Sequence, residues 1–99
     1  MRDVKIADLE NPNRLALLFL DAERRGQVRP CEADRLSFFA AAEHSRRVGT
    51  ANPSGLFASL VRKRSYAFIT QHDEEVARRA LAEARDADMA LPSQLHLRQ

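Results

Sequence analysis

The stretch that decides the fold is NPSGLFASLVRKRSYAFIT, residues 52–70, because it holds the start, the apolar face and the end of one helix. Asn52 is a good N-cap, and Pro53 suits the first helical position, where no backbone N–H needs a partner. Leu56 and Leu60 are four residues apart and therefore share one face. Three consecutive cations then follow, where the end of a helix favours positive charge. The stretch predicts an amphipathic helix with a basic last turn.

The residues on either side of this basic turn carry further helix signals. Gly55 lies in the first turn, where the absence of a side chain would let another helix approach closely. Thr70 and Asp73 have the spacing of a capping box, in which each side chain accepts a backbone N–H at the start of a helix. They predict a helix whose buried side is marked by Val76, Ala80, Leu81 and Ala84.

The same kinds of helix start and end signal predict a helix near the N-terminus. Asn11 and Pro12 repeat the Asn-Pro start, and Gly26 is placed to end the helix. Apolar residues recur between them at i, i+3, i+4 and i+7, namely Leu15, Leu18, Phe19 and Ala22.

A longer helix is predicted from residue 32 to about residue 47. Cys31 would occupy its N-cap, and Asp34 its third position as the acid of an unusual capping box. Gly49 would close the helix in the left-handed conformation. Phenylalanines and alanines widen its apolar surface, which predicts a central position in the fold.

These signals together predict an all-α fold. It is a small single-domain bundle of four main helices over residues 1–88, to which the N-terminal arm adds a fifth, short helix. Beyond that range the helical pattern decays around Pro92, which predicts an extended, flexible tail over residues 89–99. A docking role of this tail stays open because of its Leu91, Leu95 and Leu97.

Composition indicates a globular protein that remains inside the cell. Of the 99 residues, 44% are apolar and 30% charged, which is typical of one folded domain. The single cysteine, Cys31, cannot form an internal disulfide, and the charged N-terminus lacks a secretory signal, so a cytoplasmic location is predicted. The longest apolar run, residues 15–20, is too short for a membrane-spanning helix of roughly 20 residues, so no membrane partner is predicted.

Neither a catalytic site nor a cofactor or metal site is predicted. The three glycines are far apart and form no phosphate loop, and His44 and His72 lack partners at metal-ligand spacing. Cys31 as a nucleophile is an alternative to a structural role at a helix start. Asp73 and its two acidic neighbours are interpreted as helix-start charges. We therefore predict a protein that is not an enzyme.

The net charge of +2 hides a basic middle. No carboxylate lies between Glu43 and Asp73, and this stretch carries +5, whereas the rest carries −3. The five cations lie in last turns of predicted helices: Arg46, Arg47, Arg62, Lys63 and Arg64. They either oppose the helix dipole or, as unpaired charges, bind a phosphate backbone. Tyr66 and Phe68 beside them would stack on bases or belong to the core.

One segment resembles a known kind of protein. Its motif is Asn52-Pro53-Ser54-Gly55-Leu56-Phe57, followed by Leu60-Val61-Arg62 and then Ile69-Thr70 with Asp73-Glu74-Glu75. The segment, about half of the chain, resembles a helical domain of bacterial proteins of the plasmid- and phage-type replication-initiator kind. The resemblance implies a domain that follows a DNA-binding winged helix and supports replication or partner contacts. The residues before the motif are not expected to form that winged helix, and no catalytic residue is implied.

Two functions are predicted from these features. The leading one is a non-enzymatic module associated with nucleic acid, as a replication-type accessory in which the five cations contact phosphates without reading bases. The alternative is a protein–protein interaction or oligomerisation domain that uses the apolar tail or an exposed helical face and does not bind nucleic acid. Salt-dependent DNA binding separates the two.

Overall fold

A computed structural model of the protein describes residues 1–67 and 69–95. Its regular structure in these ranges consists of α1 Ile6–Glu10, α2 Pro12–Arg24, α3 Glu32–Val48, α4 Pro53–Lys63 and α5 Gln71–Leu95. No described residue belongs to a strand. The prediction of an all-α bundle with four main helices and a short N-terminal helix is confirmed. Within the same ranges, none of the helices is long and apolar enough to cross a membrane.

The central helix is α3, which contacts each of the other four helices. Its Phe38 packs edge-to-face against Phe19 of α2 and Phe57 of α4, with ring centroids 5.1 and 4.9 Å apart. All three rings are fully buried. Such aromatic pairs each contribute about 0.5–1.5 kcal/mol beyond the burial of their area. The predicted central position of this helix is confirmed.

Both Asn-Pro helix starts form as predicted. The Asn11 side chain accepts the backbone N–H groups of residues 13 and 14 at the start of α2, at 2.9 and 3.2 Å. The Asn52 side chain accepts the Gly55 N–H at 3.0 Å at the start of α4. The expected contact of Gly55 with another helix stays a prediction, but a second reason for the glycine is that a Cβ at this position would collide with the Asn52 side chain. Gly55 therefore makes room for the cap of its own helix.

The two predicted glycine helix ends differ. Gly26 has a φ of +74° and closes α2 with the two bonds of a Schellman motif, from Gln27 N–H to Ala22 C=O and from its own N–H to Glu23 C=O. Gly49 ends α3 with a φ of −88°, so its predicted left-handed conformation is wrong. A Cβ there would lie 2.7 Å from the Ser45 carbonyl oxygen, which makes close approach the reason for glycine.

The last helix, α5, is longer than predicted. The expected extended conformation is wrong for residues 89–95, because the helix continues through Pro92 to Leu95. Residues 82–91 are mostly strong helix formers, and a proline near the C-terminal end of a helix removes one intrahelical hydrogen bond. The domain boundary at residue 88 and the flexibility of the tail stay predictions. Residues 96–99 lie outside the described residues.

Candidate functional site

Two of the five predicted phosphate-binding cations are anchored by buried carboxylates. Arg64 donates two hydrogen bonds to Asp34, at 3.0 and 3.2 Å, and Arg47 donates to both oxygens of Asp73, at 3.0 and 3.2 Å. Asp34 and Asp73 are only 6% and 0% exposed. In the folded chain, carboxylates from outside residues 44–72 therefore pair with cations inside this stretch. The expectation of unpaired cations is wrong for these two arginines.

The other three cations lie on the surface and differ in their partners. Arg46 donates a hydrogen bond to Glu43 on the same helix at 2.8 Å, an exposed pair of the kind that contributes about 1 kcal/mol or less. Arg62 and Lys63 are exposed and form no ion pair with any side chain in the described part of the chain. These two are the predicted site residues that remain available to a ligand.

The fold separates the five cations into two groups at opposite ends of α3. Arg64 meets Asp34 near the N-terminal end of α3, and its two basic neighbours precede it on α4. Arg46 and Arg47 lie in the last turn of α3. Positions 34 and 47 are separated by about 20 Å along a helix axis at 1.5 Å per residue. The predicted site is therefore not one cluster of five charges.

Three buried aspartates share one construction. Asp8, Asp34 and Asp73 each occupy the third position of a helix, in α1, α3 and α5. Each carboxylate accepts a backbone N–H from just before its helix, donated by Lys5, Arg29 and Thr70 at 2.8, 2.8 and 3.0 Å. Each also accepts hydrogen bonds from one or two guanidinium groups. Arg2 and Arg14 donate to Asp8, Arg64 donates to Asp34, and Arg47 donates to Asp73. Asp8 and Asp73 accept the N–H of their N-cap residues and so cap their helices, whereas Asp34 binds the N–H of Arg29, before the N-cap Cys31, so the predicted capping box of Cys31 and Asp34 is wrong. All three aspartates tie their helices to an arginine elsewhere in the fold.

These contacts keep the three carboxylates charged. Hydrogen bonds from Arg2 lower the pKa of Asp8 to about 2, although burial acts in the opposite direction. Hydrogen bonds from Arg64 likewise lower the pKa of Asp34. Burial is the largest influence on Asp73 and would raise its pKa, but the hydrogen bonds from Thr70, Arg47 and His44 together lower it. The predicted capping box of Thr70 and Asp73 is confirmed.

His44 completes the surroundings of Asp73. Its Nδ1 lies 3.2 Å from the Asp73 Oδ2, and its side chain is 14% exposed. No group of three or more His, Cys, Asp or Glu side chains that could hold a metal ion occurs among the described residues. Cys31 is exposed at the predicted N-cap of α3, and its side chain accepts no capping hydrogen bond.

Apolar side chains are exposed on α2. Leu17 and Leu20 are 63% and 47% exposed, and they lie on one face because they are three residues apart. Leu20 also lines a groove of about 250 Å³ between α2, α3 and α5, whose lining includes the apolar Phe19, Phe39 and Leu81 and the cation Arg35. We call the two exposed leucines and this groove the α2 surface. Sequence reasoning assigned Leu18 and Phe19 to the core but gave Leu17 and Leu20 no role.

A polar cleft of about 460 Å³ lies between the N-terminal segment and α4. Its lining includes three exposed cations and one exposed carboxylate, namely Arg2, Lys5, Arg62 and Asp3, and the side chains of Gln27, Asn52 and Ser54 add hydrogen-bonding groups. The cleft brings Arg62, one of the predicted cations, together with Lys5, which the sequence pattern does not single out, because the two residues are 57 positions apart in the chain.

The connector before α5 engages the fold through Tyr66. This side chain is partly buried and packs against the hydrophobic core, and the Arg64 guanidinium carbon lies 6.0 Å from its ring centroid. Burial raises the pKa of its hydroxyl. The core alternative for this aromatic residue is therefore favoured over stacking on bases. Phe68, the other residue of that prediction, lies outside the described residues.

Comparison with known proteins finds no family model, no curated protein and no solved structure that matches the chain. The resemblance to replication-initiator-like domains therefore stays a prediction.

Proposed function

We propose that this domain is an oligomerisation module that associates through the α2 surface. The observation that carries the proposal is the exposure of Leu17 and Leu20 side by side on α2, at the edge of a groove lined by apolar side chains and Arg35. Burying a leucine side chain is favourable by about 1.5–3 kcal/mol relative to leaving it in water. Contiguous exposed apolar surface of this kind is typical of protein interaction sites.

The ion pairs favour this function over phosphate binding by all five cations. A phosphate that took Arg47 or Arg64 would leave Asp73 or Asp34 buried without its arginine. Because both arginines are about 40% exposed, breaking either pair costs less than the roughly 3–5 kcal/mol of a fully buried pair, but the cost still opposes phosphate binding by these two cations.

Light scattering over a protein concentration range of about 5 to about 500 µM tests the proposal, because small interfaces associate weakly. We expect the mass of the wild type to rise above the 11.2 kDa of one chain. The variant Leu17→Gln/Leu20→Gln should remain monomeric. The matched control is Ile6→Gln/Val48→Gln, which removes two apolar side chains of similar exposure, 53% and 45%, outside the α2 surface. A monomeric wild type, or equal association of all three proteins, would contradict the proposal.

A second function, contact with a nucleic-acid backbone, is favoured by one observation. Arg62 and Lys63 are exposed without an ion pair among the described side chains, and Arg62 shares a cleft with Lys5. Lys5 and Arg62 line this cleft and Lys63 follows Arg62 on α4, so this candidate site has three charges where five were predicted. They would hold phosphates in place and would not read sequence.

The salt dependence of the DNA affinity measures how many cations of this second site contact phosphates. The affinity falls with salt in proportion to the number of phosphates neutralised, so two or three contacts imply a loss of roughly 10- to 40-fold between about 50 and 200 mM salt. Five contacts would imply roughly 500-fold. Arg62→Gln/Lys63→Gln should abolish binding, whereas the control Arg78→Gln/Arg79→Gln, two exposed arginines of α5, should not. Absence of DNA binding by the wild type at low salt rules this second function out.

A further inference from the structure

Four exposed positions of α2 form one stripe along the helix. Asn13, Leu17, Leu20 and Arg24 follow one another at i, i+4, i+7 and i+11, a spacing that keeps them on one face. The two leucines occupy the middle of the stripe, and a polar side chain occupies each end. The stripe is therefore symmetric in chemical character about a midpoint between residues 18 and 19.

We propose that α2 pairs with α2 of a second copy of this chain in antiparallel orientation, a geometry that rests on the proposed oligomerisation function. Residues equally distant from the midpoint then lie opposite each other. Leu17 of one copy covers Leu20 of the other, and Asn13 faces Arg24, whose guanidinium can donate to the amide oxygen. A twofold axis repeats both contacts, so the same stripe on the two copies forms both sides of the interface.

The charges beside the stripe fit the antiparallel orientation. Arg14 and Asp21 lie on the same side of the leucines, because seven residues make nearly two helical turns. Antiparallel pairing places Arg14 beside Asp21 of the second copy at both ends of the contact. Within one copy Arg14 already pairs with Asp8, and Asp21 with Arg25, each at 3.1 Å, so the new contacts join existing ion pairs.

A parallel pair of α2 helices would bring like charges together. Arg24 would face Arg24 of the second copy across the stripe, an arrangement that opposes association. The charge pattern therefore favours binding of a second copy of this chain to the stripe in antiparallel orientation. Since α2 has 13 residues and is about 20 Å long, the contact is smaller than the standard interface of about 1,600 Å² and exchanges rapidly.

Disulfide cross-linking tests the orientation in a Cys31→Ser background, where the exposed native thiol is absent. Positions 13 and 24 of different copies lie opposite each other in the antiparallel pair. Two copies of position 13 are then about 16 Å apart along the axis, beyond the Cα separation of about 4.4–6.8 Å that a disulfide spans. A mixture of Asn13→Cys and Arg24→Cys proteins should therefore cross-link at least about tenfold more than either protein alone.

The outcomes separate the orientation from the oligomerisation itself. Efficient cross-linking of Asn13→Cys with itself indicates a parallel pair and overturns the inference. Lack of cross-linking in the mixture, with a dimer that still depends on Leu17 and Leu20, also overturns it but leaves the proposed function standing. A monomer at all concentrations overturns both. Circular dichroism of each cysteine variant should match the wild type, because both positions are exposed.

Discussion

Asp34 illustrates, at the scale of a residue, how this small bundle accommodates a buried charge. Its carboxylate accepts two hydrogen bonds from Arg64 and one from the Arg29 backbone N–H. An unpaired buried carboxylate would cost several kcal/mol, and these donors offset that cost. Arg64 therefore stabilises the fold, whereas its near neighbour Arg62 has no such partner among the described side chains.

Arg64→Gln should lower the free energy of unfolding by roughly 2 kcal/mol, because Asp34 loses its bidentate partner. Glutamine, like arginine, has an unbranched Cβ, so the substitution adds no backbone strain at this left-handed position with a φ of 52°. Arg62→Gln is the matched control and should change the free energy by no more than about 0.5 kcal/mol. Urea unfolding of both variants measures the difference. Equal effects would show that the Asp34 pair adds no stability.

The lowered pKa of Asp8 makes stability depend on pH in the acid range. The pKa is 3.8 in the unfolded chain and about 2 in the folded protein, so the folded state favours the carboxylate. Its contribution is therefore complete above about pH 4 and is lost as the pH falls towards 2. The lowered pKa values of Asp34 and Asp73 act in the same direction.

Asp8→Asn should therefore lower the free energy of unfolding at neutral pH by roughly 1–2 kcal/mol, a figure reduced by the partial exposure of Arg2 and Arg14. Between about pH 4 and 2 its stability should fall less steeply than that of the wild type. Asp3→Asn is the control, since Asp3 is exposed and its carboxylate forms no ion pair with a described side chain. Urea midpoints across this pH range measure both slopes, and parallel curves for wild type and Asp8→Asn would refute the assignment.

At the scale of elements, short local signals determine where the helices begin. Asn11 with Pro12 and Asn52 with Pro53 predict two helix starts because the cap and the proline act within one turn. Gly49 shows the limit of such signals. A Cβ at this position would lie 2.7 Å from the Ser45 carbonyl oxygen and 3.0 Å from the Pro53 Cα, and a helix-end pattern does not contain the approach of Pro53.

Gly55 and Asn52 should be coupled in a double-mutant cycle. Alanine is a better helix former than glycine by up to about 1 kcal/mol, so Gly55→Ala should raise the free energy of unfolding by roughly 0.5–1 kcal/mol in the Asn52→Ala background. In the wild type the same change displaces the Asn52 cap, whose loss costs about 1 kcal/mol, and the gain should disappear. Urea unfolding of the four proteins gives the coupling. Additive effects would mean that the cap and the glycine are independent.

At the scale of the whole molecule, the helical fold class follows from local pattern but the pairing of charges does not. Arg64 and Asp34 are 30 residues apart, and Arg47 and Asp73 are 26 residues apart. Whether they meet depends on which helix ends lie side by side, which no short motif specifies. Because residues 44–72 contain no carboxylate, their cations were predicted to be unpaired. In the folded chain, carboxylates from outside this stretch pair with two of them.

The exposed leucines of α2 illustrate the same limit. Helical periodicity identifies Leu15, Leu18 and Phe19 as the buried face, and all three are buried. Leu17 and Leu20 are equally apolar in the sequence, and their exposure becomes visible only when the positions of α3 and α5 around α2 are known. The candidate interaction surface is thus a property of the assembled bundle.

Sedimentation equilibrium of the wild-type protein at low and high salt tests most directly whether this domain associates through apolar contact. We predict a monomer–dimer equilibrium whose dissociation constant changes by less than about threefold between about 50 and 500 mM salt, because burial of leucine surface is screened little compared with ion pairs. A protein that stays monomeric at the highest concentrations, or that dissociates completely at high salt, would contradict the proposed function.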